Sequence, residues 1–168
     1  VLMGRYPFYD TSPTRADWNI VESCLCKVGI IDFANRDYPT LSGGEQQRVQ
    51  LARTLAQIWN VPSSYLFLDE PTTGMDLKHQ FETFQIAKEL SRNGYGVLAV
   101  VHDLNLACQY SDKVVVLKNG KILTMGSAES TLTADTIREA FDMPVSIFKP
   151  YPEHGPVILP IITEKLTS

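Results

Sequence analysis

The chain has 168 residues, of which 44% are hydrophobic and 20% charged, a composition typical of a globular protein that buries a core. The formal net charge of -4 and the lack of a long Lys/Arg run exclude a basic surface that would gather nucleic acid, so we expect no nucleic-acid partner. No apolar run reaches the ~20 residues that cross a bilayer, so we expect the chain to be soluble or to sit on a membrane through another protein.

The first part of the chain predicts two helices. Thr14 can cap a first helix together with Asp17, and apolar residues beginning with Trp18 then recur at helical spacing. A second helix is predicted to begin just after Ser42-Gly43-Gly44 and to keep one apolar face as far as Trp59. Together these helices predict a small helical unit.

Two short apolar runs follow, at residues 65–68 and 97–101, and both are typical of strands that are buried on both faces. Between them, apolar residues at helical spacing predict an amphipathic helix from Leu77 to about Asn93-Gly94. A strand, a helix and a second strand in this order predict a parallel pair joined by a right-handed crossover.

Polar side chains end both predicted strands. Asp69 and Glu70 follow the first strand, and His102 follows the second. Because ligands of open parallel sheets bind beyond the carboxyl ends of the strands, we expect these three side chains to converge on one edge of the sheet. A pair of solvated carboxylates and a structural histidine would be the ordinary alternative for each feature taken alone.

The remaining part of the chain predicts a hairpin, a helix and a tail. Asn119-Gly120 favours a tight turn between strands at about 113–117 and 121–124, which we expect to make the sheet mixed at its edge. Thr133 can cap a short helix that runs through Phe141. Prolines punctuate the rest, so we expect an extended tail that packs loosely.

The start of the second helix has the chemistry of an anion site. Free N–H groups at a helix start favour phosphate, Ser42 adds a hydroxyl donor, and Gly43 and Gly44 let a phosphate approach the backbone. Ser42 could equally serve only as the cap of the helix. The unbroken string from Leu41 to Arg48 (LSGGEQQR) resembles the signature motif of ABC transporter ATPases. This resemblance implies that Ser42, Gly43, Gly44 and Glu45 contact the γ-phosphate of an ATP held mainly by a partner subunit.

Three further motifs stand in the order that this family has. The resemblance implies that Asp69 holds the Mg²⁺ of MgATP and that Glu70 polarises the attacking water. It implies that Asp76 belongs to the D-loop, which crosses the dimer interface, although Asp76 could also cap the helix that begins at Leu77. The family more often has Ser-Ala-Leu-Asp where this chain has Thr-Gly-Met-Asp. His102 is similar to the switch histidine that contacts the γ-phosphate.

The resemblance implies an α/β fold, namely part of the P-loop NTPase fold of ABC ATPases, with a mostly parallel sheet and a small helical subdomain. We expect the helical subdomain at residues 1–60, the C-terminal half of a RecA-like core at 61–127, and a C-terminal helix with an extended tail at 128–168. The phosphate-gripping Gly-x-x-x-x-Gly-Lys-[Ser/Thr] loop does not occur in the 168 residues. We therefore expect the complete subunit to be an ATPase, and this stretch alone to be inactive and to expose a sheet edge and apolar surface.

Several strings resemble a subgroup of the family. Residues 1–7 resemble the start of the helical subdomain in the ATPases of iron-siderophore, haem and cobalamin importers. Four further segments look most like the ATPases of haem (hemin) importers: 46–53, 55–59, 76–80 and 154–158. This implies ATP and Mg²⁺ as ligands, with haem as cargo. It also implies a second ATPase subunit packed head to tail, transmembrane permease subunits and, indirectly, a substrate-binding protein, at the cytoplasmic face of the inner membrane.

Three alternatives stay open at this point. The cargo could be a siderophore or cobalamin instead of haem. The same cassette also drives proteins that act on DNA ends or ribosomes, but those usually carry coiled-coil insertions or tandem cassettes, and this chain shows neither. The chain could also be a non-catalytic remnant that only binds a membrane partner.

Overall fold

A computed structural model describes residues 1–150 and 155–161, which fall into two compact units, Val1–Val100 and Val101–Ser168. These units are defined by packing, so the predicted subdomain boundaries at residues 60 and 127 stay a prediction. The first unit contains 3-10 helices at Leu2–Phe8, Ile31–Phe33 and Tyr38–Thr40, and then α1 (Arg15–Lys27), α2 (Gly43–Ile58), β1 (Tyr65–Asp69), α3 (Leu77–Arg92) and β2 (Gly96–Val100).

In the residues that the structure describes, the second unit consists of short helices and two antiparallel strand pairs. Its elements are α4 (Leu104–Tyr110), β3 (Val114–Lys118), β4 (Lys121–Gly126), α5 (Ala128–Thr131), α6 (Ala134–Phe141), β5 (Val145–Phe148) and β6 (Val157–Pro160). Throughout the part of the chain that the structure describes, no helix is both long and apolar enough to pass through a bilayer.

Helix α1 begins as its sequence predicts. The Thr14 hydroxyl accepts a hydrogen bond from the backbone N–H of Asp17 at 3.3 Å, and the Asp17 carboxylate accepts one from the backbone N–H of Thr14 at 2.9 Å. This reciprocal capping satisfies two N–H groups that the helix itself cannot bond. Of the apolar residues that recur at helical spacing, Val21 and Leu25 are buried, whereas Trp18 is 53% exposed.

A buried ion pair fastens the first 3-10 helix to α1 and α2. The Arg5 guanidinium lies 3.0 Å from the Asp17 carboxylate and donates a second hydrogen bond to the Ala56 carbonyl at 2.9 Å. It also lies 3.8 Å from the centre of the Phe8 ring. Because Arg5 and Asp17 are both almost inaccessible to solvent, each charge depends on these partners.

Acid should weaken this junction. The pKa of Asp17 is lowered mainly by the Thr14 hydroxyl, then by the Thr14 backbone N–H and the Arg5 guanidinium. A folded-state pKa below the ordinary 3.8 means that the carboxylate stabilises the folded state above pH ~4 and that this stability is lost as the pH falls through the folded value. We expect thermal unfolding midpoints to drop as the pH falls below about 4. Asp17→Asn should unfold at lower temperature at pH 7 and show a shallower acid slope; an unchanged slope would contradict this role of Asp17.

Strands β1 and β2 form the predicted parallel pair, in register from Tyr65 opposite Gly96 to Asp69 opposite Val100, with α3 as the crossover. Only one face of the pair is covered. Leu66 and Leu68 are buried in a core that α1, α2 and α3 share, whereas Tyr65 is 70% exposed. The expectation of strands buried on both faces is therefore wrong for this chain, because the first unit packs its helices against a single face of the pair.

The other face of this pair is apolar and open to solvent. Its large side chains come from alternate positions along each strand: Tyr65 and Phe67 on β1, and Leu98 and Val100 on β2. The Tyr65 ring lies over Gly96, where an added Cβ would come within 2.3 Å of a ring carbon. The expected apolar surface is therefore present on the sheet.

The predicted hairpin is confirmed. Strands β3 and β4 pair antiparallel, and both turn residues have the positive φ that a tight two-residue turn requires, 51° at Asn119 and 73° at Gly120. The expectation that this hairpin makes the sheet mixed is wrong for the described residues, where β3 and β4 form a sheet of their own. Val116 on β3 is buried in a second core together with Ala128 and Ile137, so the hairpin packs on α5 and α6.

Within residues 128–150 and 155–161, the structure is more regular than the sequence predicts. Helix α6 starts at the predicted cap, where the Thr133 hydroxyl accepts from the backbone N–H of Thr136 at 3.1 Å. Where the structure describes the tail that we expected to pack loosely, strands β5 and β6 pair antiparallel, and Val145 and Ile158 are buried. The Asn105 side chain bonds the backbone of Ile158 at both N–H and carbonyl, 2.8 and 3.2 Å, which fixes β6. His154 lies outside the described residues.

Candidate functional site

Helix α2 begins within the string LSGGEQQR, as predicted, and its start is open to solvent. The Ser42 hydroxyl accepts from the backbone N–H of Glu45 at 3.3 Å, and the Glu45 carboxylate accepts from the backbone N–H of Ser42 at 2.7 Å. The capping role of Ser42 is thus confirmed. It does not compete with phosphate binding, because a hydroxyl that accepts one bond keeps its own hydrogen for an anion.

The backbone at this helix start is accessible. No heavy atom lies within 4 Å of the place where a Cβ would sit on Gly43, so a phosphate oxygen could come close to the chain there. The Ser42 backbone N–H and hydroxyl lower the pKa of Glu45, with smaller contributions from the charges of Arg36 and Arg48. Glu45 is therefore ionised at neutral pH, and the two arginines offset its negative charge.

Gly44 has a different task, which the sequence did not reveal. A Cβ at Gly44 would lie 3.1 Å from the carbonyl oxygen of Gly74 and 3.6 Å from the Cα of Met75. Gly74 has a φ of +76°, a conformation that glycine adopts readily. The start of α2 therefore packs backbone to backbone against the loop that precedes α3.

Asp69 and Glu70 lie where the sequence predicts, at the carboxyl end of β1. Asp69 is the last residue of the strand, and the backbone N–H of Glu70 donates to the Val100 carbonyl of β2 at 3.1 Å. Glu70 has a φ of +45°, which costs a residue with a Cβ on the order of 1–3 kcal/mol. Such strain is concentrated at functional sites, where it re-aims a side chain.

Thr73 holds the Glu70 carboxylate from the turn that follows. Its hydroxyl donates to Glu70 Oε2 at 3.3 Å, and its backbone N–H donates to the Glu70 carbonyl at 3.2 Å. Sequence reasoning missed Thr73 as a site residue. The available signal was a hydroxyl three residues after the carboxylate in a Pro-Thr-Thr-Gly turn.

Asp76 caps α3, which confirms one of its two predicted roles. Its carboxylate accepts from the backbone N–H of His79 at 3.0 Å and lies 2.7 Å from His79 Nδ1. These bonds, the backbone N–H first, lower the pKa of Asp76, and the charge of Arg48 on α2 adds to the effect. The role of Asp76 at a dimer interface stays a prediction.

His102 belongs to the second compact unit and follows the end of β2 by two residues. It is exposed. The structure shows that β1 and β2 end side by side, with Asp69 opposite Val100. The convergence of His102 on Asp69 and Glu70 stays a prediction.

The carboxylates at the end of β1 suit Mg²⁺ that arrives with a nucleotide. Mg²⁺ prefers oxygen ligands and in such sites takes one or two carboxylates, with phosphates and water completing the shell. Asp69 and Glu70 are both exposed carboxylates at one strand end, so the donor set fits this mode. Within residues 1–150 and 155–161 no group of three or more His, Cys, Asp or Glu could form a metal cage.

The chain is similar in sequence to known ABC transporter proteins. The family model of the ABC transporter matches residues 4–73, which include α1, α2 and β1 up to the Glu70 turn. Hemin import ATP-binding protein HmuV of Gloeobacter violaceus is 43% identical over 165 residues, 96% of this chain. The chain is a relative of ABC transporter ATP-binding proteins.

Other relatives carry the same description. The hemin import ATP-binding protein HmuV of Deinococcus radiodurans is 49% identical over 142 residues, 84% of this chain and 54% of that protein. The Gloeobacter protein is covered to 60% of its length. This ABC chain therefore spans a little over half the length of the curated relatives that it matches.

Solved ABC structures share the fold. A putative metal-chelate type ABC transporter in an inward-facing conformation superposes with a TM-score of 0.80 at 25% identity, covering 96% of this chain and 65% of that one. A dimeric structure of a bacterial ABC transporter cassette gives a TM-score of 0.66 at 29% identity over 76% of this chain and 53% of that one. The expected fold class, part of the ABC ATPase fold, is confirmed.

Proposed function

We propose that the complete protein carrying this sequence is the ATP-hydrolysing subunit of an ABC importer and that its cargo is haem. One observation carries the proposal: a single compact unit holds both the signature-type helix start at Ser42–Glu45 and the carboxylate-bearing strand end at Asp69-Glu70. Each of these two groups is open to solvent. Neither could reach a bound nucleotide if it were buried in the core.

The strand end would carry the chemistry. Asp69 would bind the Mg²⁺ of MgATP, whose charge neutralises the β- and γ-phosphates. Glu70 would orient and deprotonate the water that attacks the γ-phosphate. The positive φ at Glu70 and the bond from Thr73 support this assignment, because a strained backbone is typical of functional sites and the bond restrains the carboxylate. His102 would contact the γ-phosphate after closure.

The helix start would serve the other subunit's nucleotide. In a head-to-tail dimer, the Ser42 hydroxyl and the N–H groups of Gly43 and Gly44 would donate to the γ-phosphate of an ATP held by the partner, with Glu45 keeping Ser42 in place. Asp76 would lie at the dimer interface. The similarity to a dimeric ABC cassette supports this pairing.

Another part of the complete protein would supply most of the binding to the triphosphate. No Gly-x-x-x-x-Gly-Lys-[Ser/Thr] string occurs in the 168 residues. The backbone amides and lysine of such a loop supply most of the binding to triphosphate. The 168 residues alone would therefore bind ATP poorly and hydrolyse it slowly or not at all.

Haem as cargo rests on the relatives. Proteins described as hemin import ATP-binding proteins match this chain at 38–49% identity, from organisms as different as Deinococcus radiodurans and Escherichia coli O157:H7. The ATPase would act at the cytoplasmic face of the inner membrane, bound to transmembrane permease subunits and coupled through them to a substrate-binding protein. It would not touch haem itself.

Reconstitution tests the cargo. The complete ATPase is placed in proteoliposomes with its permease and substrate-binding protein, and ATP hydrolysis is measured with the binding protein empty or loaded with haem, a ferric siderophore or cobalamin. We expect haem alone to stimulate hydrolysis, several-fold over the empty protein. Stimulation by a siderophore or cobalamin but not by haem would overturn the cargo and leave the ATPase assignment standing.

A further inference from the structure

The first two turns of α3 hold the loop Thr72–Asp76 at consecutive points. The Gln80 side chain donates to the Met75 carbonyl at 2.9 Å. The ring of His79 lies 2.7 Å from the Asp76 carboxylate through Nδ1. The buried Thr83 hydroxyl contacts the sulfur of Met75 at 3.6 Å, and Met75 is itself only 8% exposed. The loop is therefore anchored by side chains of the helix that follows it.

The same loop contacts both functional groups of the first unit. At its start, the Thr73 hydroxyl donates to the Glu70 carboxylate at 3.3 Å. At its centre, the Gly74 carbonyl packs against Gly44 of the signature-type helix, 3.1 Å from where a Cβ would be. A shift of this loop would therefore move a contact of Glu70 and the support of α2 together.

The bonds from His79 and Gln80 exceed what capping of α3 requires. The cap is complete when the Asp76 carboxylate accepts the backbone N–H of His79 at 3.0 Å. The His79 ring adds a second bond to the same oxygen, and the Gln80 amide turns back to a loop carbonyl instead of pointing to solvent. Lys78, one residue earlier, makes an exposed ion pair with Glu82 at 3.7 Å.

We propose that His79 and Gln80 are positioning residues for ATP hydrolysis, which fix the Thr72–Asp76 loop and through it the Glu70 carboxylate and the start of α2. This inference rests on the proposed function. It assigns a structural role to the segment Asp76–Gln80, whose sequence alone indicates only a resemblance to haem importers. Neither side chain touches the nucleotide in this scheme.

The test uses paired variants in the complete ATPase. His79→Asn places an amide N–H where Nδ1 stands and keeps the bond to Asp76, whereas His79→Leu removes it. Gln80→Met keeps the length of the side chain and removes the donor to Met75. Lys78→Ala is the matched control on the same turn. For each variant, kcat, KM for ATP and the unfolding midpoint are measured.

We expect His79→Leu and Gln80→Met each to lower kcat about fivefold to tenfold with KM changed less than about twofold, since the loop positions the reacting groups without binding substrate. His79→Asn and Lys78→Ala should stay near wild type. In an Asp76→Ala background, His79→Leu should cause no further loss, because its partner is already gone.

Equal losses in the Asn and Leu variants, or additive losses in the Asp76→Ala background, would overturn the assignment of His79. Wild-type kcat in Gln80→Met would overturn that of Gln80. If His79→Leu does not fold, the Gln80 series carries the test. Glu70→Gln is measured in parallel: if it hydrolyses ATP normally the proposed function fails, and if it is inactive while His79→Leu and Gln80→Met are normal only the positioning inference fails.

Discussion

Glu70→Gln in the complete ATPase should lower kcat by about 10²- to 10⁴-fold, the usual contribution of a positioned general base. The amide has nearly the shape of the carboxylate and can still accept the bond from the Thr73 hydroxyl, so the turn is preserved. It cannot take a proton from water. Because neither the signature-type helix nor the nucleotide grip is altered, ATP should remain bound and a nucleotide-sandwiched dimer should accumulate.

Two measurements check this result. Phosphate release gives the turnover, and size-exclusion chromatography with MgATP gives the dimer. Glu22→Gln is the matched control, since Glu22 is an exposed carboxylate on α1 outside the site, and it should behave as wild type. Turnover by Glu70→Gln within a few-fold of wild type would remove Glu70 from the role of base.

Gly4→Ala should destabilise the first unit by about 1–3 kcal/mol, the usual cost of forcing a methyl group into a filled space. A Cβ at Gly4 would lie 2.3 Å from the carbonyl oxygen of Arg53 and 3.2 Å from the Cβ of Ala56. Both atoms belong to α2, and a backbone carbonyl within a helix cannot rotate away. The 3-10 helix would have to lift off α2, which would also strain the bond from Arg5 to the Ala56 carbonyl.

Denaturant unfolding followed by circular dichroism measures the loss. Gly43→Ala serves as the control because no heavy atom lies within 4 Å of its added Cβ and the residue begins a helix, where alanine is favoured. We expect its stability to equal or slightly exceed that of wild type without nucleotide. Equal midpoints for Gly4→Ala and wild type would show that the 3-10 helix is free to adjust.

Local signals in the sequence predict the helices of this fold well. Thr14 with Asp17, Ser42 with Glu45, and Thr133 each satisfy N–H groups of the following helix, so the cap and the helix come from the same few residues. Sheet burial is harder to predict. The run Tyr65–Leu68 is apolar on both faces, and its sequence is the same whether or not a second layer covers Tyr65 and Phe67.

The candidate site likewise has features that the sequence predicts and contacts that only the tertiary structure shows. The strings around Ser42 and Glu70 are contiguous, so their residue types and spacing already indicate the chemistry. The contact of Gly44 with Gly74 joins residues thirty positions apart, and the Gln80 bond depends on where the loop places the Met75 carbonyl. Such contacts follow from tertiary geometry, for which a single sequence carries no local signal.

The left-handed backbone at Glu70 sets two selective pressures against each other. Glycine or asparagine would adopt this conformation with less strain. A glycine there would relieve part of the strain in the folded state. Under the proposed function, either change discards the carboxylate. Directed evolution for heat resistance alone would therefore tend to replace this residue, whereas under the proposed function evolution for ATP turnover would retain it at some cost in stability.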